Sequence, residues 1–424
     1  MIQKKKLFTL LLTLFFAFSF AQESRLISLQ ECMDQAVIHH PLYGQHQLQS
    51  ALKNLKLGNF HSDLLPQISL NGKASLQNEV VELPISIPGV SIPSVSKDQY
   101  RLSLDINQPI YRGGLINQQQ AMEQNTLEIA NILIDKELYT LKTQTKNLFF
   151  QIILIDKQKQ IVNSYREIIT QKHNEAKILV DEGVILASNL DILKLELLNT
   201  EQELLNIDAT RKALLQNLNK ITHLELNETS HLSLPVINDL PIANQNRFEY
   251  HLMALQQKQL ETSKGLLSVK TKPMLYAFAT AGVGRPGFNM LSDDFEDFYM
   301  IGLNLKWSLW DWNKNRKEKK IVDINKELIE TQKQAFDLNI QLTLNQLQSE
   351  IEKQRALLEN DPEIIALRKN VVKTAEAQFK NGTLSSTDYI VEMQKLNQAE
   401  LNFELHQISL INNQLSYIET LGKL

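Results

Sequence analysis

Residues 181–193 read DEGVILASNLDIL and cut a periodic run that otherwise has no reason to stop. Upstream, Leu127, Ile134, Leu138, Leu141, Leu148, Ile152, Ile155 and Val162 fall on a three-four spacing, with Asn131, Thr145 and Lys159 at the positions the series skips. Downstream, Leu190, Leu193, Leu197, Leu204, Ile207, Leu214, Leu218 and Ile221 resume it, interrupted by Thr200 and Arg211. Such a spacing is a heptad stripe. It predicts one helix over 114–181, roughly 100 Å long at 1.5 Å per residue, and a second over 188–222. A helix of that length must bury its stripe along partners, as a coiled coil does. Gly183 supplies the left-handed residue that ends a helix, and Ser188, Asn189 and Asp191 are candidates to cap the next one. The chain therefore reverses, and DEGVILASN is the tip of a long antiparallel hairpin.

The same tip occurs a second time. Residues 380–392 read KNGTLSSTDYIVE, and an offset of 199 residues lays Gly382 on Gly183, Asp388 on Asn189 and Tyr389 on Leu190. That offset also lays Leu309-Trp310-Asp311-Trp312 on Ile110-Tyr111-Arg112-Gly113. Earlier in each half, Lys272-Pro273-Met274 overlays Leu65-Pro66-Gln67. Two copies of one unit are expected, over 22–223 and 247–424, joined by 224–246 with Pro235 and Pro241.

Between the helices the period switches to two. Ile68, Leu70, Ala74 and Leu76 alternate with polar residues, and Tyr100, Leu102, Leu104 and Ile106 do the same. In the second half, Met274, Tyr276 and Phe278 alternate with small residues such as Ala277, Ala279 and Ala281, and Tyr299, Ile301, Leu303, Leu305 and Trp307 form the fourth series. Each strand has roughly the ten residues that cross an outer membrane at a tilt. Trp307, Trp310 and Trp312 lie where the last strand meets its helix, the place of an aromatic boundary at a membrane interface. Four strands cannot close a barrel, for which about eight is the usual minimum. An open sheet in lipid would leave backbone groups unpaired, so several chains must share one barrel.

The amino terminus fits export. Three lysines precede an apolar run from Leu7 to Phe20, and Ser19 and Ala21 suit a cut after Ala21, making 1–21 a signal peptide. The run is short of the roughly 20 residues of a spanning anchor, and Gln22 in place of a cysteine argues against a lipid anchor. The formal charge of −4 falls further once the leader's lysines are removed, a poor balance for nucleic acid. Cys32 is the only cysteine, so no internal disulfide can form.

With these features in place the chain resembles the TolC-like outer-membrane efflux family. The carriers are the leader, the duplicated helix–strand–strand–helix unit, QPIYRGG at 108–114, and the paired tips EGVILASN and NGTLSSTD. The resemblance implies an α+β membrane protein: long antiparallel coiled-coil helices, and four transmembrane strands per chain in a barrel shared by a homotrimer. It implies an outer-membrane location extending into the periplasm, and partnership with a periplasmic adaptor and an inner-membrane pump or secretion system. By position, it implies that the tips Gly183-Val184 and Gly382-Thr383 contact the adaptor and that Asp388 lines the periplasmic aperture. The family's second acidic position is Val391 here, and the neighbouring Glu392 is expected to face elsewhere. Helix capping is the plainer role for Asp388.

No chemistry of an enzyme stands out. His39, His40, His46 and His61 are close in sequence, but no carboxylate or cysteine set accompanies them, and no phosphate loop or nucleophile motif is present. No cofactor is implied. Two other readings remain: a periplasmic adaptor, which should carry a single hairpin between compact β-domains, and a structural envelope coiled coil, which needs no alternating strands.

Overall fold

A computed structural model of the protein describes residues 26–81, 95–237, 239–241, 246–290 and 292–424. The expected leader, 1–21, lies outside them. In chain order the elements are β1 (Leu26–Ile27), α1 (Leu29–His39), a 3₁₀ turn at Pro41–Gly44, α2 (Gln45–Ser62), β2 (Gln67–Leu76), β3 (Asp98–Tyr111), α3 (Leu115–Asp181) and α4 (Ala187–Thr222). There follow β4 (His231–Leu232), α5 (Phe248–Val269), β5 (Met274–Arg285), β6 (Glu296–Lys306), α6 (Lys314–Lys380) and α7 (Ser386–Thr420). Helices α3 and α6 have 67 residues each. None of the described helices is both long and apolar enough to cross a membrane. The chain divides into a helical unit (Met1–Tyr43, Asp135–Phe248, Asp337–Leu424) and a sheet-bearing unit (Gly44–Ile134, Glu249–Phe336).

In the helical unit the heptad stripe becomes core. Phe149, Ile152, Leu218 and Ile408 pack with Cys32 and Met33 of α1. Of the polar residues that interrupt the stripe, Thr145, Thr200 and Arg211 are buried, and each is satisfied. Thr145 and Thr200 donate to the carbonyls of Leu141 and Glu196, both one turn back. Arg211 pairs with Asp156 across the α3–α4 hairpin and donates to the Ser230 carbonyl. Lys146, also buried, binds Glu419 at 2.5 Å and Ser416 at 2.9 Å. A buried charge is tolerable only when paired and hydrogen-bonded in this way. The linker is not wholly irregular: β4 lies parallel to β1, with Ile27 opposite Leu232.

In the other unit the four strands form one antiparallel sheet in the order β2-β3-β5-β6. Residues directly opposite one another share a face, so the register sorts every side chain. One face carries Ile68, Leu70 and Leu76 from β2, Leu102, Leu104 and Ile106 from β3, Ala277, Ala279 and Ala281 from β5, and Ile301, Leu303 and Leu305 from β6. The other carries Asn71 and Lys73, then Arg101, Ser103, Asp105 and Asn107, then Thr280. The alternation thus holds, with one departure from the sequence reading. In β5 it is the alanines that share the apolar face, while Tyr276 and Phe278 lie on the polar one. The reason is local packing: a Cβ on Gly302 would sit 2.7 Å from the Phe278 ring, and one on Gly282 would sit 3.0 Å from Phe298. Each ring covers a glycine on the partner strand. Pro109, which has no N–H to give, sits at the bulge where β3 slips against β5.

Both halves leave the sheet through the same backbone turn. Gly113 and Gly114 have φ of 64° and 84°, and the overlaid Trp312 and Asn313 have 55° and 61°. A non-glycine residue in the left-handed region costs about 1–2 kcal/mol. At Gly113 a Cβ would also meet the Lys272 Cβ at 3.0 Å. We expect Gly113→Ala to lower the unfolding free energy by ~1–2 kcal/mol. Trp312→Gly removes a ring that is 81% exposed and should lower it by less than about 0.5 kcal/mol, or raise it. Denaturant unfolding in detergent measures both, and a larger loss for Trp312→Gly would refute the strain assignment.

Candidate functional site

The two hairpin tips come together at one end of the helical unit. Helix α3 ends with Gly183 at φ 73°, its N–H donating to the Val180 carbonyl while Val184 N–H reaches back to Leu179 at 2.8 Å. Helix α6 ends identically: Gly382 has φ 70°, Gly382 N–H donates to Phe379, and Thr383 N–H reaches Gln378 at 2.9 Å. These are the paired bonds of a Schellman-type stop. The Thr383 hydroxyl donates to the same Gln378 carbonyl. The tips touch, for a Cβ on Gly382 would lie 3.6 Å from the Val184 carbonyl. The Val184 side chain remains exposed.

Capping differs from the sequence expectation. The N-cap of α4 is Leu186, with no side-chain cap. Asn189 turns outward to the other hairpin, where its Oδ1 accepts from Ser386 N–H at 3.1 Å, at the first residue of α7. It therefore caps its neighbour. Ser385 caps α7 in the ordinary way, accepting from Asp388 N–H at 3.2 Å, and its hydroxyl donates to the Asp388 carboxylate at 2.7 Å. Asp388 is thus part of a capping arrangement. It also lines an open groove of about 740 Å³ between α6 and α7, with Leu367, Val371, Leu384 and Val391. Glu392 lines the same groove, contrary to expectation, because four residues return to the same side of a helix. Its carboxylate is held by Arg368 at 3.4 Å and Lys395 at 2.6 Å.

Behind the tips lies a core of Tyr165, Ile169, Leu193, Phe379, Tyr389 and Met393 that draws on all four long helices. Phe379 and Tyr389 stack at 5.5 Å. Burial pushes the Tyr389 hydroxyl up to about 12, so the ring serves as apolar filling. Into this core projects Lys172, 5% exposed at the side chain, bound to Glu376 of α6 at 2.7 Å and Glu175 at 2.8 Å. Burial opposes its charge, but the two carboxylates outweigh that and raise its pKa. Tyr165 donates to Glu196 at 2.7 Å, and Gln394 of the second hairpin donates to the same carboxylate. Lys172–Glu376 and Glu196–Gln394 are therefore ties between the hairpins. The sequence held a sign of the first: Lys172 continues the three-four series Tyr165, Ile169, Ala176, and a lysine at a core position calls for a partner.

The predicted tryptophans lie in the sheet-bearing unit. Trp307 donates from Nε1 to the Thr271 carbonyl at 3.1 Å. Trp310 and Trp312 are strongly exposed and meet edge to face at 5.8 Å. The histidines have separate engagements: His39 with Gln35, His46 with Asn131 and His61 with Gln120.

Comparison with solved structures identifies the architecture. The Campylobacter jejuni CmeC outer membrane channel aligns over 93% of this chain and 85% of its own, at 15% identity and a TM-score of 0.68. The Vibrio cholerae outer membrane protein VceC aligns over 93% and 96%, at 12% identity and 0.67. The open state of the Neisseria gonorrhoeae MtrE outer membrane channel aligns over 93% and 88%, at 12% identity and 0.66. No protein-family model and no curated protein sequence matches the chain. The chain shares the fold of these outer-membrane channels: long antiparallel coiled-coil helices and a four-stranded antiparallel sheet.

The ties carry a prediction. Hydrogen bonding from Lys172 is the chief cause that holds the Glu376 carboxyl below its ordinary value. Its stabilisation is therefore full above the ordinary carboxylate range and fades as pH falls through the lowered value. Glu376→Gln should destabilise the protein by ~1–3 kcal/mol at pH 7, and the difference from wild type should shrink as pH falls through and below the carboxylate range. Thermal unfolding across that range checks it, and a pH-independent difference would refute the tie.

Proposed function

We propose that the protein is the outer-membrane duct of a tripartite efflux or type I secretion system, passive in itself and open to whatever its pump supplies. It resides in the outer membrane and extends into the periplasm as a homotrimer. The observation that supports this most is the sheet. One face is apolar across its middle, with Asp98, Arg285 and Asp297 only at the end of the strands away from the helices, and both outer strands, β2 and β6, have unpaired edges in the single chain. Such edges are untenable in lipid unless another copy pairs with them. Helix α2 agrees, since Leu48, Leu52 and Leu55 are uncovered in the single chain.

The proposal includes the duplication, with 22–223 and 247–424 as copies and 224–246 between them. Equal lengths of α3 and α6 and equal tip turns support it. It assigns Gly183, Val184, Gly382 and Thr383 to adaptor contact, Asp388 to the periplasmic aperture, and Trp307, Trp310 and Trp312 to the membrane interface. Two hairpins in one chain fit neither the adaptor reading nor a plain coiled coil.

Three copies of Asp388 around a narrow opening would repel one another and attract cations. Purified protein in planar bilayers should conduct, and Asp388→Asn should change its conductance or cation selectivity. A conducting protein indifferent to Asp388→Asn would leave that residue as a cap alone. Val184→Glu should abolish cross-linking to the adaptor and cellular export while leaving bilayer conductance intact. Normal export by that variant would refute the tip assignment.

A further inference from the structure

The polar face of the sheet carries charge that the duct reading does not use. Lys73 of β2 stands directly opposite Arg101 of β3. Like charges in that position destabilise a strand pair, so the arrangement calls for something to offset it. Among the described residues neither side chain forms an ion pair. Arg101 is instead held by aromatic rings, its guanidinium 4.4 Å above Phe298 and 5.5 Å from Phe288. Lys73 is exposed.

Among the described residues no nearby acid forms an ion pair with either cation. Asp105, four residues along β3 and so about 13 Å away along the strand, accepts from Asn71 at 2.5 Å, Thr280 at 2.6 Å and Ser103 at 3.1 Å. It binds three strands together through neutral donors, and the Arg101 charge reaches it without forming an ion pair among the described residues. Asp98 is taken by Arg285 at 2.7 Å. Asp293 accepts twice from Ser96, at 2.6 Å each. Glu296 shares the cross-sheet row with Arg101 two strands off, on the strand whose Phe298 seats the guanidinium, and among the described residues it forms no ion pair with it. The remaining charge on this face, Lys306 at the far end of β6, is also basic.

We propose that Lys73 and Arg101 form an anion-binding row on the polar face of the barrel wall, taking polyvalent oxyanions such as phosphates or sulfates. The inference rests on the duct reading, which makes this face the lumen and repeats the row in every copy. The aromatic seat draws the Arg101 guanidinium toward β5 and β6, away from Lys73, without neutralising it, so an extended polyvalent oxyanion can lie along the row with one cation toward each end. The row would draw anions into the outer part of the pore, on the opposite electrostatic sign from Asp388.

The test uses the full-length protein in planar bilayers, with tripolyphosphate as the probe. In wild type, tripolyphosphate should reduce the current, and the reduction should weaken as salt rises. In Lys73→Gln/Arg101→Gln the concentration for half reduction should rise about tenfold or more, and the reversal potential in a KCl gradient should shift toward cation preference. Arg101→Lys keeps the charge and should stay near wild type, which separates loss of charge from loss of packing. Equal sensitivity and an unchanged reversal potential in a conducting double variant would overturn the row while leaving the duct standing. If no form conducts, the duct reading falls and the row with it.

Discussion

Backbone hydrogen bonding in a medium without water is the constraint from which the rest of this protein follows. Strands β2, β3, β5 and β6 satisfy one another inward but leave an open ladder at each end of the sheet. The apolar face from Ile68 to Leu305 has no covering layer in the single chain. A soluble protein would place a helix or second sheet over it. In the proposed duct, lipid is the cover and a second copy is the edge partner. Everything else in the chain is consistent with a part that becomes a wall only when repeated.

The helices meet a related demand. A 67-residue helix has far too little neighbouring volume to build a globular core, so burial is spread thinly along heptads. Polar residues at the seam keep the register from sliding, as Arg211–Asp156 and Lys146–Glu419 do here. At the tips the same logic joins two hairpins: a shared aromatic core supplies cohesion, and Lys172–Glu376 and Asn189–Ser386 fix how the hairpins meet.

Much of this was legible in the residue order. Period-3.5 and period-2 patterns are written directly in the chain, so the boundaries of α3 and the strands fell within a few residues. What failed depended on partners that the local pattern does not reveal. Asn189 was read as the cap of its own helix, but an adjacent helix end in space claimed it. Tyr276 and Phe278 were read as the large members of an alternating series, yet they share the polar face, where Phe278 covers Gly302, and the alanines share the apolar one. Glu392 was misjudged through adjacency in sequence, where helical periodicity returns it to the side of Asp388. Lys172 was passed over because an isolated lysine in a long polar helix looks solvated until the second hairpin is beside it.

The central claim is that one chain supplies an incomplete barrel wall and that copies close it. Native mass measurement of the protein extracted from membranes in mild detergent tests this most directly. The account predicts a complex of three copies that withstands extraction and retains bound lipid. A folded single copy, soluble without detergent, would contradict it.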